Sequence, residues 1–315
     1  MGYTPRLTVT LLVACGSCAT LVGAALIYAG PAYPAAQTRH AAAARSSGHA
    51  RHRAASGPAS QPIDPALFSP GACLAFAPTN GDRHETVFLD AGHGGIDPGA
   101  VGTTQSGAPV NEADVNLTVE LDTMAILRAE GYRVVVSRTE DTTVTRLTPV
   151  DVDGGLLSVQ GVVNDVGARD VCANLAGADV LVGIYMDSGS PNNAGCVTGY
   201  DAVRSFAAVN LRLATLLQDD VLGAMNAQSW GIPDEGVFPD TVLGSALDSA
   251  ALAYGHLLLL GPAKAGYFTT PSQMPGALIE PLFVTDPFEG SIAASADGQQ
   301  VIATALAEAI TQYFA

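Results

Sequence analysis

The chain has 315 residues, 48% of them hydrophobic, which is enough for a sizeable core and rules out a wholly disordered polypeptide. Only 14% of residues are charged, with 30 acidic against 14 basic and a formal net charge of −16. Residues 1–66 hold five arginines and one acid, Asp64, so the remainder sets nine basic residues against 29 acidic ones. A body that acidic repels a phosphate backbone, which excludes nucleic acid as a partner.

From Leu7 to Ala29 the chain runs 23 residues without a charge, preceded by Arg6. That run is long enough for a bilayer core of ~30 Å and longer than the apolar stretch of ~7–15 residues typical of a cleaved signal peptide. Small residues in Pro31–Gln37 still offer a peptidase site. Residues 1–30 are therefore predicted to be an N-terminal membrane anchor or signal segment that meets the cytoplasmic membrane and exports the rest of the chain. Residues 31–66 are rich in Ala, Ser, Pro, His and Arg and nearly devoid of large apolar side chains. Such a composition predicts a disordered linker, in which His40, His49 and His52 show no ligand spacing. Residues 67–315 then form one domain. Of its cysteines, Cys73, Cys172 and Cys196 allow one disulfide with a thiol left over, or three small buried hydrophobes; no C-x-x-C pair supports a thiolate metal site.

In chain order the body alternates strands with helices. Thr86–Ala91 is a short apolar strand that opens into Gly-His-Gly-Gly, and Glu112–Glu130 has helical apolar spacing stopped by Gly131. Tyr132–Ser137 reads as a β-branched strand, Ala168–Ala176 as a helix, and Val180–Tyr185 as a strand apolar enough to be central. Residues 203–228 predict a long helix, Leu257–Leu260 and Ala277–Val284 two further strands, and Val301–Phe314 a closing helix. The pattern predicts a single α/β domain with a mostly parallel central sheet flanked by helices on both faces.

Three features carry chemistry. His93 lies among glycines in LDAGHGGIDPGAVG (Leu89–Gly102), at the C-terminal end of a strand, where open α/β sheets place their ligands. Glu112 opens the following helix, where an acid also favours the helix dipole. Glu280 interrupts the apolar strand GALIEPLFVTDP; a carboxylate among Leu278, Ile279, Leu282 and Phe283 takes a raised pKa, as suits a general acid/base. Asp90 is a candidate orienting partner for His93, and Asp97 reads as a turn-former ahead of Pro98. Arg138 and Arg169 read as internal salt-bridge partners.

These motifs, together with NEADVNLTVELDTMAILRAEGYRVVVSRTED and ANLAGADVLVGIY, resemble those of the zinc-dependent N-acetylmuramoyl-L-alanine amidases (the Amidase_3 type) in the right order. The resemblance implies an exported peptidoglycan hydrolase acting in the cell wall, either membrane-anchored or secreted. Its substrate would be the amide between muramic acid and the L-alanine of the stem peptide. It makes His93 and Glu112 the first two zinc ligands and Glu280 the catalytic glutamate. The third ligand departs from the family. Where relatives carry histidine in a strand reading roughly Ser-Ile-His-Ala, this chain has Tyr185, which takes the ligand position as a phenol of pKa ~10. Asp187, two residues on and on the same side of the strand, is an alternative oxygen donor. The zinc site is thus either oxygen-rich, or weakened or absent, and the competing reading is a non-catalytic peptidoglycan-binding or regulatory descendant.

Overall fold

The computed structural model describes residues 60–243 and 249–315; the predicted export segment and most of the predicted linker lie outside them. Among the described residues no helix is long and apolar enough to cross a membrane. The elements run as strands β1 (Gln61–Pro62), β2 (Ala72–Phe76) and β3 (Thr86–Ala91), then a small hairpin of β4 (Val101–Thr103) and β5 (Pro109–Asn111). Next come helix α1 (Glu112–Ala129), strand β6 (Arg133–Arg138), a second hairpin of β7 (Val152–Asp153) and β8 (Leu156–Leu157), and helix α2 (Val159–Ala176). The second half is β9 (Val180–Ile184), β10 (Cys196–Tyr200), α3 (Ala207–Ala227), β11 (Asp234–Pro239), α4 (Ser249–Tyr254), β12 (Gly276–Glu280), α5 (Pro287–Ala293) and α6 (Ala296–Phe314).

The main sheet has the order β1-β2-β6-β3-β9-β12-β10-β11. Its centre, β6-β3-β9-β12, is parallel throughout, β10 and β11 pair parallel to each other, and β10 runs antiparallel to β12. Alternation along β3 explains the two layers. Val87 and Leu89 join the core shared with α1, α3 and α6, while Phe88 points to the opposite face, where it meets residues of α2 and the Leu257–Leu260 segment. The expected architecture, a mostly parallel sheet covered on both faces, is what the chain adopts.

Several elements differ from the sequence reading. Leu257–Leu260 is not a strand. Gly255 (φ +89°) turns the chain out of α4, and Leu260 and Gly261 both donate their N–H groups to the Leu257 carbonyl, which curls the run into a buried turn. Strand β12 stops at Glu280 because Pro281 has no N–H for the ladder. Helix α2 begins nine residues earlier than expected, at Val159, where the Ser158 hydroxyl caps the Gly161 N–H. Strands β2, β10 and β11 escaped the pattern because they are short and carry Gly, Thr, Cys or Pro in place of an apolar run. Gln61 also pairs with Ala75, so the sheet recruits residues that the composition assigns to the linker.

Cys73 and Cys172 form a disulfide spanning 99 residues, tying β2 to α2, and Cys196 remains a buried thiol. A crosslink over so long a loop removes much unfolded-state freedom. The double substitution C73A/C172A should lower unfolding free energy by about 2–5 kcal/mol, read by denaturant titration.

Candidate active site

The C-terminal ends of β3, β9 and β12 lie side by side, and the residues just beyond them face one another. His93 follows β3 in the left-handed region (φ +62°), a strained position for a non-glycine residue that its glycine neighbours make room for. Gly99 (φ +65°) is required here, because a Cβ at that position would fall 2.6 Å from Glu112 Oε2 and 2.8 Å from His93 Cδ2. His93 Nδ1 pairs with Asp97 Oδ2 at 2.8 Å, and Nε2 lies 3.3 Å from Glu112 Oε1. Glu112, buried in the first turn of α1, is held by the N–H groups of Ala100 (2.8 Å, Oε2) and Met186 (3.0 Å, Oε1). The orienting carboxylate for His93 is therefore Asp97, which also accepts from the Gly99 N–H, rather than Asp90.

Glu280, 5% exposed, completes the cluster at the end of β12. Its buried carboxyl hydrogen-bonds that of Asp187, and Oε2 receives no N–H among the described residues. Burial first, then the carboxylates of Asp187 and Glu112, hold it well above the ordinary range, against the pull of His93. Burial alone would lower the His93 pKa, but Glu112 and Asp97 outweigh it and push it up to about 10. The site thus concentrates negative charge that a cation relieves, whether a proton on His93 or a metal ion.

Tyr185 stands beyond β9 with its ring edge-on to His93, centroids 5.5 Å apart, and against Gly92, where a Cβ would meet the ring at 2.3 Å. Its hydroxyl donates to Asp90 Oδ2 at 3.2 Å. Burial and the Asp90 carboxylate raise the phenol well above 10, with Arg169 acting in the opposite sense, so it is a neutral hydroxyl at physiological pH. Asp90 in turn receives Arg169 at 2.7 Å.

Arg169 is almost fully buried and binds Asp90, Asp165 and the carbonyls of Ala91 and His93. The expected internal salt bridge is present, and it fixes the backbone that carries His93. Arg138 instead donates to the carbonyls of Ala91, Gly92 and Ala113. Below them Glu120, raised to about 8 by burial, accepts the Ala91 and Ser137 N–H groups and locks the end of β3 to β6. Sequence reading missed Glu120; its signal was an acid at a core-facing position of α1. Arg169→Ala strands two buried carboxylates and should cost about 3–5 kcal/mol of stability, measured by thermal or denaturant unfolding.

These groups line a cavity of about 380 Å³. His93, Glu112, Tyr185, Asp187 and Glu280 form its polar floor, and Val162, Val166 and Leu257–Leu259 its apolar wall. Leu257–Leu259, in the turn after α4, thus contribute directly to the cavity.

A doubly covered, largely parallel sheet that carries a His–Glu pair and a buried glutamate at its strand ends fits a hydrolase. A family model described as N-acetylmuramoyl-L-alanine amidase matches residues 87–312, and the chain belongs to that family. It is 26% identical over 243 residues to N-acetylmuramoyl-L-alanine amidase AmiA of Salmonella typhimurium, covering 72% of this chain and 75% of that protein. Solved structures with the same fold include AmiC2 of Nostoc punctiforme (TM-score 0.50, 23% identity, 74% of this chain and 99% of that one). The CwlD amidase of Clostridioides difficile, solved in complex with the GerS lipoprotein, gives a TM-score of 0.54 at 20% identity over 73% and 98%.

Proposed function

We propose that this protein is an extracytoplasmic, zinc-dependent peptidoglycan amidase that cleaves the bond between muramic acid and the L-alanine of the stem peptide. The observation that carries the proposal is the His93–Glu112 pair gathered with the buried carboxyl of Glu280. Donors about 2.0–2.1 Å from a tetrahedral zinc stand about 3.3 Å apart, the separation found between His93 Nε2 and Glu112 Oε1. Asp97 on Nδ1 supplies the carboxylate that such a histidine ligand carries. Tyr185 takes the third position as a weak donor, since its hydroxyl must leave Asp90 and ionise to bind strongly. When bound, a zinc ion supplies Lewis acidity for the scissile carbonyl and for the attacking water.

The chain's own residues do the rest. The cavity admits the stem peptide beside the floor, and its apolar wall excludes bulk water from the scissile amide. A cation held by His93 and Glu112 would offset the surrounding carboxylates and favour the ionised form of Glu280. Glu280 then takes the proton of water as it adds to the lactyl carbonyl, and returns it to the alanine nitrogen as the C–N bond breaks.

Export is part of the proposal. The uncharged run of residues 7–29 supports a membrane anchor or signal segment, with residues 31–66 as linker, and the Cys73–Cys172 disulfide suits an oxidising compartment. Incubation of purified sacculi with the zinc-supplemented protein tests the activity. Mass spectrometry should find stem peptides with a new L-alanine amine, and intact sacculi would overturn the assignment. The Tyr185–Asp90 hydrogen bond specifically favours a second reading, a binding protein that retains peptidoglycan without cutting it; co-sedimentation with uncut sacculi is its signature.

A further inference from the structure

A second cluster lies at the other end of the sheet. Strands β10 and β11 run parallel with Tyr200 opposite Pro239, so the next residue of each, Asp201 and Asp240, emerge side by side. Because β10 is antiparallel to β12, pairing Val197 with Glu280 and Gly199 with Leu278, this end is remote from the His93–Glu112 floor. His256, just past Gly255, reaches over both carboxylates. Its Nδ1 is 3.3 Å from Asp201 Oδ2, and 3.3 Å and 3.1 Å from the two oxygens of Asp240.

Both aspartates are fully buried. Asp201 Oδ1 accepts the Val203 and Arg204 N–H groups, and Asp240 Oδ2 accepts that of Leu257. Asp201 Oδ2, aimed at the imidazole, accepts no hydrogen bond among the described residues. Asp240 Oδ2 already has the Leu257 N–H, so Asp201 Oδ2 and Asp240 Oδ1 are left to a nitrogen that carries one proton at most and cannot satisfy both fully. Arg204 acts on Asp201 through its charge, but its guanidinium hydrogen bonds go to Ser272 and the Leu260 carbonyl, so it supplies no donor to either carboxylate. A cation in place of the shared proton satisfies every oxygen at once. The separations of His256 Nδ1 from the carboxylate oxygens, 3.1–3.3 Å, match ligand atoms on a tetrahedral zinc, which lie about 3.3 Å apart. One imidazole and two carboxylates make a mixed N/O set suited to zinc or manganese rather than to a soft ion.

We propose that Asp201, Asp240 and His256 bind a divalent transition-metal cation, zinc or manganese, at a site separate from the catalytic floor. The cation fixes the Leu257–Leu260 wall of the cavity to the ends of β10 and β11. Nothing in this proposal requires the amidase reading, because its ligands are distinct from His93 and Glu112.

The test uses the full-length chain carrying His93→Ala, which disables the first site, titrated with zinc chloride and, separately, manganese chloride. Elemental mass spectrometry after desalting should find about one ion per chain, as a three-ligand site implies. Adding Asp201→Asn or His256→Gln should abolish it. With metal about a hundredfold above Kd the melting temperature should rise by roughly 5–10 °C in the His93→Ala protein and not in the double variants. X-ray absorption at the zinc edge should read one imidazole among oxygen donors. An ion-free His93→Ala protein with no thermal shift from either metal overturns the proposal, and that result needs no further variant to fold. An ion that survives both second substitutions overturns it equally.

Discussion

Replacing Tyr185 by histidine should raise zinc affinity at the His93–Glu112 site at least tenfold and increase muropeptide cleavage with it. Zinc bound at catalytic centres has three protein ligands, and a neutral imidazole donates at pH 7 where a phenol of raised pKa does not. The position already abuts His93, ring to ring, so a side chain there is within reach of the same ion. The exchange gives up the hydrogen bond to Asp90, which keeps Arg169 at 2.7 Å, so the structural cost stays near 1–3 kcal/mol. Imidazole is smaller than phenol and makes no new demand on Gly92. Competition with a chromogenic chelator measures the affinity. A Tyr185→His protein that folds but binds zinc no more tightly than wild type would show that residue 185 does not face the ion.

Glu280→Gln should lower the rate of amide cleavage by roughly 10²–10⁴-fold, the range for loss of a positioned acid–base group. The amide cannot carry a proton between water and the alanine nitrogen, yet it has the shape of the carboxyl it replaces. Metal content should be unchanged, because His93 and Glu112 remain. Stability should hold or rise, since burial together with Asp187 and Glu112 disfavours the charged form of Glu280 in wild type. Turnover of a muropeptide by Glu280→Gln within tenfold of wild type would remove Glu280 from the reaction.

Much of the fold was legible in the residues. Continuous apolar runs mark β3 and β9 and helical apolar spacing marks α1, each within a residue or two, and the glycines around His93 mark a loop at a strand end. What failed depends on side-chain direction and local turns. Asp90 and Asp97 flank the same histidine in sequence, but Asp90 is the last core position but one of β3 and points to Arg169, leaving Asp97 to reach Nδ1. A run of four leucines fits a buried strand or a buried turn equally well, and Gly255 decides it at Leu257–Leu260. Asp201, Asp240 and His256 are spread over 56 residues of weakly patterned sequence, so only the parallel pairing of β10 with β11 and the turn at Gly255 bring them together.

In the proposed mechanism His93 and Glu112 hold a divalent ion beside Glu280. Its most direct test is elemental analysis of zinc-equilibrated protein carrying Asp201→Asn, which silences the second cluster. About one zinc per chain is expected, falling to none when His93→Ala is added. A metal-free Asp201→Asn protein with an intact fold, or zinc that persists without His93, would contradict the claim.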